Sequence, residues 1–109
     1  MRIRNHPFQT IDWSGIKKVE HKGASGFATW QTLMMGTIRI RMVEYSINYL
    51  ADHWCKKGHI IYCIRGKMTT ELSNGTLHKM RAGMTYHVGD GSSSHRSFSK
   101  KGCILFIVD

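Results

Sequence analysis

A short stretch near the middle of the chain carries three side chains that are common metal ligands. His53, Cys55 and His59 fall within the segment ADHWCKKGHIIYCIRG, which runs from Ala51 to Gly66. Imidazole and thiolate groups are preferred ligands of borderline transition metals such as zinc, iron, nickel and copper. The residue types therefore predict a site for a divalent transition metal.

A predicted hairpin explains how these ligands would come together. Alternate side chains on a strand share one face, so His53 and Cys55 would point the same way. The polar segment 56–58, KKG, has the glycine of a tight turn, and the β-branched and aromatic run that follows it predicts a return strand. We therefore expect His59, at the start of that strand, to face His53 and Cys55.

The whole chain predicts one ordered domain. Its 109 residues, of which 41% are hydrophobic, are enough for one core but not for two. The apolar runs are too short to span a bilayer, and the basic N-terminus is not followed by the apolar segment of a secretory signal. The three cysteines form no Cys-x-x-Cys pair, which favours reduced thiols. We expect a cytoplasmic protein without a membrane segment.

The excess of basic residues indicates which class of molecule the protein binds. Lysine and arginine number 16 against 7 acidic residues, which gives a formal net charge of +9. Such an excess can indicate nucleic-acid binding. The basic residues are scattered at predicted turns, however, and the chain has neither a helix-turn-helix pattern nor an aromatic ladder interleaved with arginine. The charge therefore favours a small anionic ligand over nucleic acid.

Frequent turn signals divide the chain into short strands. The segment 38–45, IRIRMVEY, alternates most clearly, with Ile38, Ile40 and Met42 on one face and Arg39 and Arg41 on the other. Strands are also predicted at 27–33, 67–72, 76–81 and 103–108, with an Asn-Gly hairpin turn at 74–75. Short strands and frequent turns without a long helix are typical of an all-β sandwich or barrel.

The ligand segment resembles the first motif of the cupins, which are small double-sheet jelly-roll barrels. That motif has the form H-x-H, three or four residues, E, six residues, G. His53, Cys55, His59 and Gly66 reproduce this spacing, with cysteine in place of the second histidine and histidine in place of the glutamate. The second cupin motif supplies one more histidine after a glycine-rich loop, and His95 after residues 89–94 is similar to it.

The resemblance covers essentially the whole chain and implies its architecture. We expect a cupin-type jelly-roll β-barrel, also called a double-stranded β-helix, in a single domain, with residues 1–25 as an N-terminal arm or edge segment. More narrowly, the chain resembles small bacterial cupins labelled by a DHCW motif. Residues 52–55, DHWC, contain those four residue types with tryptophan and cysteine in the other order.

The same resemblance implies a metal site formed by His53, Cys55, His59 and His95. Two ligand sets stay open. All four side chains would complete a closed tetrahedral site that suits zinc. Three histidines without Cys55 would leave open positions that suit iron, as in the three-histidine thiol dioxygenases among cupins.

Other residues are candidates for the cavity wall. Five are potential donors or acids: Tyr45, Tyr49, Tyr62, Tyr86 and His87. Arg39, Arg41 or Arg96 could bind a carboxylate or phosphate, although exposed strand faces also commonly carry arginine.

The expected function is that of a metal-binding small cupin whose cavity binds a small anionic molecule, with dioxygenase-like or isomerase-like chemistry unassigned. The alternative is a non-catalytic binding or sensing module with a structural zinc. We also expect a homodimer, because small cupins commonly pair through sheet edges and N-terminal segments, and an apolar sheet edge needs to be covered.

Overall fold

The computed structural model describes residues 2–109 and consists mainly of strands. The strands are β1 (Val19–Lys22), β2 (Phe27–Met35), β3 (Ile38–Tyr45), β4 (Tyr49–Leu50), β5 (His59–Leu72), β6 (Leu77–Arg81), β7 (Thr85–Val88), β8 (His95–Ser99) and β9 (Cys103–Val108). A three-residue 3-10 helix, Trp13–Gly15, precedes them, and the carboxylate of Asp12 caps it by accepting the N–H of Ser14 at 3.0 Å. No helix in residues 2–109 is long and apolar enough to cross a membrane.

Strand β5 is shared by two antiparallel sheets. Its first half pairs with β7 and β9, in a sheet that continues from β9 through β3 and β2 to β1. Its second half pairs with β6 and β8, and β8 pairs with β4. The two sheets enclose a core of buried side chains: Ala28, Val43, Ile61, Cys63, Met68, Met80, Cys103, Leu105 and Ile107. The prediction of an all-β barrel is confirmed.

The passage of β5 between the sheets depends on a bulge and a glycine. Pairing with β9 shifts register between Cys63 and Arg65. Gly66 follows with φ +81°, and a Cβ there would lie 2.4 Å from the carbonyl oxygen of Gly102. The sequence predicted two strands separated at Gly66. The structure has one 14-residue strand instead, because a bulge bends the backbone without ending its pairing.

The arginines of β3 face the inside of the barrel. Arg41 is only 5% exposed and Arg39 is half-buried, on the same face as the buried Val43. The predicted alternation is therefore correct, but these arginines are not on a solvated outer face. The neighbouring strand β9 leads into Asp109, whose carboxylate lies on the same inner face and balances part of their charge.

The N-terminal region contributes to one margin of the barrel. Strand β1 pairs with β2 at the end of the strand order, and Trp13 packs edge-on against Phe106, with ring centroids 6.4 Å apart. The side-chain amide of Gln31 also donates to the carbonyl oxygens of Trp13 and Ile16. Residues 13–22 are thus held against the outer face and margin of the first sheet.

Candidate metal centre

Cys55, His59 and His95 meet at one end of the barrel. Each supplies one potential ligand atom, and the three atoms lie within 4.8 Å of one another. The Cys55 Sγ is 3.7 Å from His59 Nε2, which is 2.7 Å from His95 Nε2. His95 is 3% exposed and His59 is 9% exposed. The cluster is therefore largely shielded from bulk water.

Strand β8 brings the thiol to the imidazoles. Cys55 lies in the loop between β4 and β5 and forms an isolated antiparallel bridge with His95, with N···O distances of 2.8 and 3.0 Å. At this end, β5 pairs with β7 and β9 and not with the Cys55 segment. The structure thus differs from the predicted hairpin. The sequence spacing was a correct guide to proximity, but the connection runs through a strand that lies 40 residues along the chain from Cys55.

A second loop fixes the Cys55 loop from outside. The N–H of Gly58 donates to the Asp90 carboxylate at 2.6 Å, and the N–H of Gly91 donates to the Lys56 carbonyl at 2.8 Å. A Cβ at Gly58 would lie 2.8 Å from the backbone nitrogen of Asp90, so the two loops approach closely at this glycine. The glycine-rich loop predicted to supply His95 therefore also positions Cys55.

His53 lies outside the three-residue cluster. Its side chain is 74% exposed, and its Nδ1 is 2.6 Å from the carboxylate of Asp52. Residues 51–54 form no regular strand, so His53 and Cys55 do not share a strand face as the hairpin required. Of the four predicted ligands, the structure brings together three. It reproduces neither the closed four-ligand set nor the three-histidine set.

The outer nitrogen of each clustered imidazole is already occupied. His59 Nδ1 is 3.0 Å from Asp109 Oδ2, and His95 Nδ1 is 2.8 Å from the carbonyl oxygen of Ser93. A carboxylate and a carbonyl can only accept, so both Nδ1 atoms must carry the proton. In the neutral rings, both Nε2 atoms then present lone pairs to each other across 2.7 Å. Such lone pairs repel unless a cation, either a proton or a metal ion, is shared between them.

The donor set fits a transition metal. Zinc–ligand bond lengths place sulfur and nitrogen about 3.6 Å apart on a tetrahedral ion. This is close to the 3.7 Å between Cys55 Sγ and His59 Nε2. The two Nε2 atoms would have to separate by about 0.6 Å to reach the corresponding nitrogen–nitrogen distance. Outer-nitrogen hydrogen bonds like those of His59 and His95 are the usual supports of metal-bound imidazoles.

Asp109 joins the cluster to the arginines of β3. Its carboxylate contacts Arg39 at 2.9 Å, Arg41 at 3.0 Å and His59 at 3.0 Å, and its side chain is fully buried. Burial by itself would raise the pKa of Asp109, but the hydrogen bond from His59 and the two guanidinium groups hold this pKa well below its usual range. Asp109 is therefore a carboxylate at neutral pH. No motif in the sequence singles out Asp109, although the two-residue period of β9 continues its buried face to position 109.

A cavity of about 120 Å³ lies beside the cluster. Of the predicted wall residues, Tyr45, Tyr49 and Tyr86 line it, and so do the three candidate arginines, Arg39, Arg41 and Arg96. Tyr62 and His87 lie outside this wall, and Tyr62 is 42% exposed. On β5, Tyr62 alternates with the inward-facing Ile61 and Cys63, which explains why it points away.

Two groups in the wall could recognise an anion. The guanidinium of Arg41 lies 4.3 Å from the ring centroid of Trp30, and its buried Nε has no hydrogen-bond partner among the described residues. Burial raises the pKa of Tyr86 to about 12, and hydrogen bonds to Thr70 and Ser97 only partly oppose this. The Tyr86 phenol is therefore a neutral hydrogen-bonding group at neutral pH.

Comparison with solved structures shows which fold surrounds this cluster. An RmlC-like cupin from Shewanella frigidimarina superimposes with a TM-score of 0.74 over 94% of this chain and 90% of its own, at 13% sequence identity. The chain has the cupin fold. Its cupin barrel is also similar to an ectoine synthase from P. lautus, with a TM-score of 0.74, 18% identity and coverage of 93% and 76% of the two chains.

A further neighbour of this cupin fold is a predicted oxalate decarboxylase from Thermotoga maritima. It superimposes with a TM-score of 0.78 over 92% of this chain and 96% of its own, at 15% identity. Neither a protein-family model nor a curated protein matches the sequence. At these identities the neighbours establish the fold alone.

Proposed function

We propose that the protein binds a divalent transition metal through Cys55, His59 and His95 and holds a small anionic molecule beside it in the barrel cavity. The observation that carries this proposal is the pair of opposed Nε2 atoms, 2.7 Å apart, on two imidazoles whose Nδ1 atoms are both committed as donors. A buried cation resolves that opposition. Zinc and iron are the first candidates, followed by nickel and copper, and three protein ligands leave a further coordination position.

The charge and size of the cavity support an anionic ligand. Two guanidinium groups, Arg39 and Arg41, share the single carboxylate of Asp109, which leaves one positive charge unbalanced. The free Nε of Arg41 offers a donor for a carboxylate or phosphate oxygen. At about 30 Å³ for each water, a cavity of about 120 Å³ holds roughly four water volumes. This size favours a molecule of a few heavy atoms, such as a short carboxylic acid.

The roles of the chain's own residues follow from their contacts. A bound metal would supply Lewis-acid polarisation of an oxygen of the anion. Arg41 would orient the negative group, and Tyr86 would offer its phenol to the cavity. Asp109 would keep the proton of His59 on Nδ1, so that Nε2 faces the metal. The reaction on this anion would be isomerase-like or dioxygenase-like. The neighbours carry the names of different enzymes, a synthase and a predicted decarboxylase, so the shared fold does not select one.

A second candidate function is a non-catalytic binding or sensing module with a structural zinc. The thiolate of Cys55 in the ligand group favours it, because thiolates are the commonest ligands of structural zinc sites. The two functions differ in metal exchange. A structural zinc should stay bound during prolonged dialysis against a chelator, and its loss should unfold the protein. A metal with an open position should exchange while the fold persists.

The proposed setting is a cytoplasmic homodimer. Cys55, Cys63 and Cys103 are all free thiols, which suits a reducing compartment. The outer face of β5 exposes Ile60, Tyr62 and Ile64 at 46%, 42% and 39%. Such an apolar face is suited to burial against a second copy of the chain.

Elemental analysis of untagged protein tests the metal proposal. We expect about one metal ion per chain in the wild type after reconstitution, and a reduction of at least about tenfold in affinity for His59→Ala or His95→Ala, since each removes a ligand. His53→Ala is the matched control for metal content, because His53 lines the cavity but is exposed and lies outside the cluster, and the variant should bind metal as the wild type does. Cobalt substitution tests whether Cys55 is a ligand. The thiolate-to-cobalt charge-transfer absorption of the wild type should disappear in Cys55→Ser.

Two results would overturn the proposal. One is wild-type protein that takes up no zinc, iron, nickel or copper although circular dichroism shows it to be folded. The other is loss of metal in His53→Ala with retention in His95→Ala.

A further inference from the structure

A second and much larger cavity opens at the other end of β8. Its volume is about 1130 Å³, against about 120 Å³ beside the metal cluster. Strand β8 begins at His95, in the cluster, and ends at Ser99, in the wall of this second cavity. The two cavities share Tyr45, but none of the three proposed metal ligands lines the larger one. The larger cavity is therefore a separate feature of the barrel.

Apolar side chains and cations both line this cavity. Met68, Met80 and Met84 lie in its wall together with Phe98 and Ile104. Methionine side chains are flexible and polarizable, so they adapt to apolar ligands of different shape. Six exposed basic residues complete the wall: Arg65, Lys67, Lys79, Arg81, Lys100 and Lys101. Glu44 is the single acidic residue among the lining residues that the structure describes.

The backbone register shows that these cations are held close to one another. Lys67 and Arg81 are direct partners across the antiparallel pair of β5 and β6. Like charges in that arrangement destabilise a sheet. Neither residue has a salt bridge among the described residues. A bound negative group would relieve the repulsion.

We propose that this second cavity binds an amphipathic anion, a carboxylate with an unbranched apolar tail. The carboxylate lies against the basic residues of β5 and β6, and the tail lies against the half-buried Met84, Phe98 and Ile104, behind which Met68 and Met80 are packed. This occupant uses both properties of the wall, whereas a nucleic acid would leave the apolar part of the cavity unfilled. The proposal is independent of the metal, so metal-free protein binds the same ligand with the same affinity.

Titration with decanoate, followed by NMR of ¹³C-labelled methionine methyl groups, tests the proposal. We expect a saturable shift at Met84 and smaller shifts at the buried Met68 and Met80, while Met34, which is 53% exposed and lines neither cavity, serves as an unaffected reference. The neutral analogue 1-decanol should bind at least about tenfold more weakly, a difference of about 1.4 kcal/mol.

Charge reversal locates the anionic head. The double variant Lys67→Glu with Lys79→Glu should weaken decanoate binding by at least about tenfold. It should remain folded, because the new carboxylate at position 67 would face Arg81 as an opposite charge. The control is Lys17→Glu with Lys18→Glu, which makes the same change in net charge at exposed positions outside the cavity and should change affinity less than about twofold.

Three outcomes would overturn the proposal: no methionine shifts with decanoate, equal affinity for decanoate and 1-decanol, or equal weakening in the two double variants. Shifts at these methionines caused only by anionic lipid vesicles, and not by free decanoate, would point to a membrane surface and would also overturn it.

Discussion

At the scale of single residues, the ring nitrogen that carries the proton in each of the two clustered imidazoles decides whether they can bind a metal. Asp109 and the Ser93 carbonyl each accept from an Nδ1, which leaves the Nε2 atoms of His59 and His95 free to act as ligands. Asp109 also neutralises part of the charge of Arg39 and Arg41. One carboxylate therefore connects the proposed metal centre, the proposed anion site and the stability of the barrel.

Asp109→Asn should separate the effects of the Asp109 charge from those of its side-chain size. Asparagine keeps the size of the side chain but leaves the buried Arg41 and the half-buried Arg39 without a counter-charge. Breaking a buried ion pair by removing one partner costs about 3 kcal/mol or more. We expect urea denaturation to show a loss of unfolding free energy of this size, together with a metal affinity at least about tenfold lower.

Glu71→Gln provides the control for this prediction. It breaks the pair with Arg96, in which both side chains are about 30% exposed, at 31% and 30%. An ion pair exposed to that extent contributes about 1 kcal/mol or less. If the two substitutions destabilised the protein equally, the buried carboxylate would have no special role.

Residue types in the sequence were good guides to the side chains that cluster but not to the groups that support them. Cys55, His59 and His95 stand out because thiols and imidazoles in a motif are rare and chemically distinctive. His53 matched the motif equally well, yet its position depends on the conformation of a loop, which the sequence pattern does not predict. Asp109 lies 50 positions from His59 in the sequence and contacts it because β5 pairs with β9. A local sequence pattern does not predict such a contact.

At the scale of elements, β5 determines the architecture because it pairs in both sheets. The strand can do so only if its backbone bends sharply near Cys63 and Arg65, and the positive φ of Gly66 permits the bend. The sequence correctly marked Gly66 as a break in the strand pattern. Whether such a break ends a strand or bends it depends on the pairing partners, which lie on either side and far along the chain.

Gly66→Ala should be among the more damaging substitutions of a glycine. A side chain at φ +81° is strained, and its Cβ would be 2.4 Å from the carbonyl oxygen of Gly102. We expect the unfolding free energy to fall by about 3 kcal/mol, measured by urea denaturation. Gly83→Ala is matched in φ, at +92°, but its Cβ would meet nothing within 4 Å, so its cost should be about 1 kcal/mol. Equal losses would show that the contact with Gly102 is relieved elsewhere.

Strand prediction succeeded where the alternation was clear or an apolar run was continuous, and it failed where the pairing partner was decisive. The bounds of β3 and β9 are those predicted, 38–45 and 103–108. The hairpin expected between Cys55 and His59 is absent because Cys55 pairs with His95 of β8, whereas His59 pairs with Val88 of β7. A turn signal such as KKG predicts a change of direction, but it does not identify the strand that the chain will meet next.

At the scale of the whole molecule, the interior combines one charged network with neutral titratable groups. The charged network is that of Asp109 and the two arginines of β3. The neutral groups are thiols and phenols: Cys63 and Cys103 are 0% and 5% exposed, and Tyr45 and Tyr86 are partly buried against the core. Burial raises the pKa of each of these four groups. The fold therefore favours their protonated forms.

This distribution predicts that the protein loses stability in alkaline solution well before its buried thiols ionise in the folded state. Burial raises the pKa of Cys103 to about 12, with the hydrogen bond to Ser99 opposing and the Cys63 thiol adding to the increase. An unfolded cysteine has a pKa near 9. Between these values the unfolded chain holds fewer protons than the folded one, so the unfolding free energy falls as pH rises, by up to about 1.4 kcal/mol per pH unit for each group.

The contribution of one thiol can be isolated with Cys103→Ala. The variant should be less stable than the wild type at pH 7 because it leaves a small cavity in the core. Its unfolding free energy should nevertheless decline less steeply from pH 9 upwards, because one of the groups that titrate only in the unfolded chain is gone. Urea denaturation at closely spaced pH values measures both curves. Parallel curves would mean that the Cys103 thiol ionises at the same pH in the folded and unfolded chains, and hence that the barrel admits water at the end where the second cavity opens.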